Sequence, residues 1–129
     1  MIATALVVVA VLGAASDSVD CEAPPTQLAI NQCAGLKAAK ADELLDQVYR
    51  RYSQRLEARQ KEKQKLIEAQ RAWLAFRTSW CNFVASGVEG GSAHPFVVSK
   101  CFAEVTEERI KQLEQVSSCK EGDLACPAP

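Results

Sequence analysis

The chain is poor in the residues that most enzyme chemistry needs. His94 is the one histidine in 129 residues, and it stands beside Pro95. No C-x-x-C pair occurs among the six cysteines, so a zinc site lacks both the thiolate spacing and the imidazoles. A Ser-His-Asp or Cys-His arrangement would have to draw its base from that single imidazole, set in a turn-forming stretch. Gly90-Gly91 has neither the spacing nor the following lysine of a phosphate loop. No catalytic residue, metal or cofactor is therefore expected. Internal repeats and low-complexity segments are also missing. Between Gln27 and Leu56 only Gly35 interrupts a run without glycine or proline, which leaves little to break a helix.

No charge occurs before Asp17, and Ile2–Leu12 is a continuous apolar run followed by Gly13-Ala14-Ala15-Ser16. Such a run is too short to span a membrane and fits the apolar core of a secretory leader with small residues at the cleavage point. Residues 1–15 are read as a signal peptide. No Lys or Arg precedes the run, so the positive end of the leader falls to the amino terminus, or the start codon lies further upstream. A buried core helix is the alternative. Asp20 directly before Cys21 does not suit lipid attachment, so a secreted or periplasmic protein is expected, without membrane association after cleavage. The remaining residues 16–129 suffice for one domain, with a core over about 21–116 and an irregular tail at 117–129.

All six cysteines lie beyond the leader, and an even count behind an export signal implies disulfides. Six cysteines allow fifteen pairings. Neighbour pairing is expected: Cys21–Cys33, Cys81–Cys101 and Cys119–Cys126. The middle bridge would close the ends of the glycine loop, the first would staple the leading segment to the first helix, and the last would knot the tail.

Three helices are expected. Pro24-Pro25 blocks helix formation and Thr26 is a plausible N-cap. Apolar residues then recur at Leu36, Leu44/Leu45, Val48/Tyr49, Tyr52 and Leu56, the spacing of an amphipathic helix. Periodicity resumes at Leu66/Ile67 and runs through Trp73/Leu74, Phe76, Trp80, Phe83 and Val84 until Ser86-Gly87. A third helix is expected to start between Ser92 and Phe96 and to end near Val116, with Val98, Cys101/Phe102, Val105, Ile110 and Leu113 as its apolar face. Trp73, Phe76, Trp80 and Phe83 fall on one stripe and are read as core rather than as a sugar platform. Gly87, Gly90 and Gly91 are expected to supply positive-φ turns.

No turn residue marks the junction of the first two helices, so a single rod, with its aromatics covered by dimerisation, competes with a hairpin. The polar positions favour the hairpin. Folding back near residues 59–60 places residue i opposite about 119 − i. Asp42 then faces Arg77, Asp46 faces Trp73, Tyr49 faces Gln70, and Leu45 faces Leu74. With Arg109, these side chains read as a partly buried ionic and hydrogen-bonded network that sets register rather than as catalytic groups. The expected fold is all-α: an antiparallel helical hairpin with a third helix packed across it, stapled by disulfides.

Net charge is −1, but residues 16–46 carry −4, residues 47–80 carry +6 and residues 81–129 carry −3. The basic stretch holds Arg50, Arg51, Arg55, Arg59, Lys61, Lys63 and Lys65. It is read as a solvated helix tip; a footprint for cell-wall glycan or nucleic acid is the alternative, and no nucleic-acid partner is expected.

Gln70, Trp73, Arg77 and Cys81 at helical spacing, then Gly90-Gly91-Ser92, then Cys101, Thr106, Arg109 and Leu113 form an ordered set. Upstream stand Asn31-Gln32-Cys33-Ala34, Ala41-Asp42, Leu45 and Tyr49. Over roughly Cys21 to Leu113 this resembles the lysozyme-inhibitor LprI-like N-terminal domain family. Asp46 departs from that family's usual Asn, so its carboxylate either alters the network or points to solvent. The resemblance implies a non-catalytic binding protein that inhibits lysozyme and protects a bacterial cell wall, with lysozyme as partner. A lysozyme cleft works through two carboxylates, one protonated and one ionised. A plug for it should present compact donors on a rigid loop. Val84–Pro95 offers the amides of Gly90 and Gly91, the Ser92 hydroxyl and the His94 imidazole; Glu89 fits only if it faces away. A non-catalytic envelope module is the alternative, and there the loop merely joins two helices.

Overall fold

The computed structural model of the chain describes residues 18–128; the expected signal peptide at 1–15 lies outside them. Three helices follow in order: α1 (Gln27–Arg55), α2 (Gln60–Ala85) and α3 (His94–Ser117), with a short 3-10 turn at Ser86–Val88. Thr26 caps α1, its hydroxyl accepting from the Ala29 amide at 3.1 Å. The chain folds back over residues 56–59, where the Arg59 amide donates to the Leu56 carbonyl at 2.8 Å. Glycine and proline are not needed there, because polar Glu57 and Arg59 accept solvent and Leu56 plugs the core at 3% exposure. The described residues thus form an antiparallel hairpin with a third helix packed on both arms.

The core gathers Leu45, Val48 and Tyr52 from α1 and Leu56 from the fold-back with Ile110 and Leu113 from α3, and Ala128 of the tail closes it. Leu66 and Trp73 of α2 pack against this cluster only in part. Burial of such a face is worth about 1.5–3 kcal/mol per large side chain, which explains why α1 and α3 hold together along their length. Leu36 and Leu44, read from spacing as part of the buried face, are exposed. They sit off the seam that Ala41, Leu45, Val48 and Tyr52 define.

Disulfides join Cys21–Cys33, Cys81–Cys101 and Cys119–Cys126. The first ties the leading segment to α1, the second ties α2 to α3 at the glycine-loop end, and the third closes the tail. The tail beyond Ser118 is irregular apart from turns.

Two further expectations need correction. Phe76, Trp80 and Phe83 are not core: they lie 54%, 44% and 68% exposed on the outside of α2. Cys81 must face α3 through its disulfide, and it lies one turn beyond Arg77. On a wheel of about 100° per residue, Phe76 then sits a quarter-turn or more off that inward line. Only Gly90 of the three loop glycines has positive φ, at 77°. Gly87 lies in the 3-10 turn, and a Cβ on Gly91 would stand 3.2 Å from the Val88 carbonyl oxygen, so a close approach rather than a left-handed backbone favours glycine there.

Candidate functional site

The network on the inner face of the hairpin is built around Arg77. Its Nη1 donates to an Asp42 carboxylate oxygen on α1 and, at 2.8 Å, to the Thr106 hydroxyl on α3. One side chain therefore joins all three helices. Its guanidinium lies over Trp73 at 5.0 Å and over Phe102 at 4.8 Å from the ring centroids. Such stacking suits a planar, weakly hydrated cation. Thr106 is fully buried and Arg77 nearly so, whereas half of the Asp42 side chain reaches solvent. The Arg77 Nε is buried without a hydrogen-bond partner.

Arg109 repeats the theme one layer on. Its Nε donates to the Gln70 side-chain oxygen at 3.1 Å, its Nη1 to that of Gln112 at 3.1 Å, and its guanidinium also lies over Trp73, 5.8 Å from the ring centroid. Partial burial holds the Arg109 pKa below its ordinary value. Trp73 is thus held by two cations rather than facing Asp46. Asp46 instead forms an exposed pair with Arg50 one turn along α1, and that hydrogen bond lowers its pKa. Gln70 is engaged by Arg109 and makes no hydrogen bond to Tyr49. Even so, Asp42, Leu45, Asp46, Tyr49, Gln70, Leu74 and Arg77 all line one groove of about 350 Å³ between α1 and α2, so the fold-back brings these residues to one place. Phe102, Thr106 and Gln112 complete the network; Thr106 stood in the ordered set with Cys101, Arg109 and Leu113, but its spacing gave it no role.

The second candidate is the end where α2 meets α3. Residues 86–92 are exposed, and Ala93 and His94 are half-buried. His94 is not in the loop: it is the first residue of α3, followed by Pro95. This follows from proline's fixed φ, which suits a first helical turn. No side chain caps that helix start. The loop is drawn in from both sides. The Gly91 amide donates to the Val88 carbonyl at 3.0 Å, and the His94 amide to the Gly91 carbonyl at 3.2 Å. Asn31 on α1 donates to the Ser92 carbonyl at 2.9 Å, a tether that sequence spacing did not reveal. The Gly91 amide is therefore spent on the turn, whereas among the described residues the Gly90 amide and the Ser92 hydroxyl have no partner.

The basic stretch lies at the opposite end, about 39 Å away along the 26 residues of α2 at 1.5 Å per residue. Part of its charge is committed: Arg50 pairs with Asp46, Lys63 pairs with Glu57, and Arg55 donates to the Ser117 carbonyl at 2.7 Å.

Fold and sites together define a disulfide-stapled three-helix domain whose inner polar groups serve its own framework and whose glycine-loop end is presented to solvent. A family model described as lysozyme inhibitor LprI matches residues 20–113. An uncharacterised protein of Rhizobium meliloti (strain 1021) is 31% identical over 113 residues, covering 79% of this chain and 81% of the relative. The chain belongs to the LprI lysozyme-inhibitor family. No solved structure matches it.

Proposed function

We propose that the chain is an exported protein that binds lysozyme at its glycine-loop end and so protects a bacterial cell wall from digestion. Family membership over residues 20–113 carries the reading. Three disulfides support an oxidising compartment, and no helix among the described residues is long and apolar enough to cross a membrane. The leader at residues 1–15 would deliver the chain there.

The loop end suits the task for physical reasons. The Cys81–Cys101 bridge and the Asn31 tether hold the loop in one shape before contact, which reduces the ordering cost of binding. The unpartnered Gly90 amide, the Ser92 hydroxyl, the His94 imidazole and the uncapped start of α3 offer donors and a partial positive charge suited to an ionised cleft carboxylate. Gly91 contributes shape, since its amide is already bonded. Glu89 is exposed on the far side of the turn from Ser92 in sequence and is free to face away from the cleft.

The experiment is a lysis assay with the purified, oxidised mature protein. Added protein is expected to slow lysozyme digestion of cell walls. Ser92→Ala and His94→Ala are each expected to weaken that effect about tenfold, the loss of roughly 1.4 kcal/mol. Unchanged lysis at large molar excess would reject the assignment.

A further inference from the structure

More large apolar side chains face outward than inward along the C-terminal half of α2. Ala69, Ala72, Phe76, Trp80 and Phe83 are all exposed. Phe76 and Trp80 stack with centroids 6.2 Å apart, and Trp80 meets Phe83 at 5.8 Å. These five positions lie at −7, −4, 0, +4 and +7 about Phe76, so they form one helical stripe. The stripe is symmetric in position and opposite in size, with two alanines before Phe76 and two large rings after it. Beside Ala69 opens a groove of about 540 Å³, walled by Leu66, Leu113, Val116 and Pro127, with Lys65 and Arg109 among its polar groups.

We infer that two copies of this chain pair through α2, antiparallel about a two-fold axis at Phe76, with each Phe83 seated in the groove beside the partner's Ala69. In the same register each Trp80 covers the partner's Ala72. A two-fold contact needs a surface that is its own complement, and this stripe carries knob and hole in reversed order on a single helix. Charge agrees with the register. It brings the Glu89 end of one chain to the Lys63–Lys65 end of the other, and Lys65 makes no ion pair within its own chain among the described residues. The three rings offer roughly 300–350 Å² per chain, taking about 200 Å² for each ring when fully buried. That is well short of the ~800 Å² per partner of a standard interface, so the pairing is reversible and concentration-dependent. It stands independently of the inhibitor reading.

Sedimentation velocity on the mature oxidised protein, from low micromolar to near millimolar, tests it. The mass is expected to climb from one chain toward two. Ala69→Glu charges the hole without removing any ring, and it is expected to weaken pairing about tenfold or more; Phe83→Glu should do the same. Asn82→Glu, exposed but off the stripe, should change nothing, and circular dichroism should show all three variants helical. A chain that stays monomeric throughout overturns the inference, as does a dimer indifferent to Ala69→Glu. A monomer whose tryptophan fluorescence shifts on adding cell-wall glycan fragments, with the shift lost in Trp80→Phe, assigns the stripe to that occupant instead, and overturns it equally.

Discussion

Among the described residues, Arg77 joins α1, α2 and α3 through one shared polar contact. Truncating a large, nearly buried side chain commonly costs about 2–5 kcal/mol, because the atoms around the vacated space lose their contacts. Arg77→Ala would take a partner from the buried Thr106 hydroxyl and would empty the space beside Trp73 and Phe102, while half-exposed Asp42 would turn to solvent. Chemical denaturation is expected to show a loss in that range, and Arg77→Lys is expected to recover little of it. An ammonium could serve both acceptors from one nitrogen, as Nη1 does, but it cannot lie flat against the Trp73 and Phe102 rings. A near-native stability for Arg77→Lys would show that charge alone matters here. Tyr52 gives a second residue-scale test. Burial raises its phenol pKa above the ordinary value of 10.0. The fold therefore prefers the neutral phenol. That contribution is fully present below the unfolded value and is lost as pH rises through the higher folded value. Stability measured across the alkaline range should fall above about pH 10, and Tyr52→Phe, which keeps the ring and cannot ionise, should flatten that fall.

Among the elements, the disulfide between α2 and α3 acts on both framework and loop. It closes a loop with a sequence separation of 20 and links a fully buried Cys81 to a buried Cys101. Replacing both cysteines by serine is expected to lower stability by about 3 kcal/mol and to weaken lysozyme inhibition beyond that, since the loop would pay its ordering cost on binding. Stability lost with inhibition intact would separate the bridge from the site. The three helices were legible from periodicity, and the fold-back was legible from Asp42 and Arg77, because opposite charges at matching offsets leave few registers. The aromatic stripe misled. Spacing shows that Phe76, Trp80 and Phe83 share a face with one another, but not which face turns inward. Cys81 held the answer, since its bridge to Cys101 fixes the inward direction one turn past Arg77. The Asn31 tether to Ser92 was illegible for a different reason: it joins residues 61 apart through a backbone carbonyl, and no side-chain pattern marks an acceptor on the main chain.

At the scale of the whole molecule the two ends differ in kind. The fold-back end is cationic, with Arg50, Arg55 and Lys63 bonded within the chain. The other end combines a bridged loop, an uncapped helix start and donors without partners. The α1–α3 core and the Arg77 network hold the framework away from the loop end, which is the end proposed to meet lysozyme. Hydrogen exchange on the oxidised chain with and without excess lysozyme tests that division most directly. The amides of Gly90 and Ser92 are expected to gain protection in the complex while those of residues 56–63 stay unchanged. Protection confined to the fold-back end, or none anywhere, would contradict it.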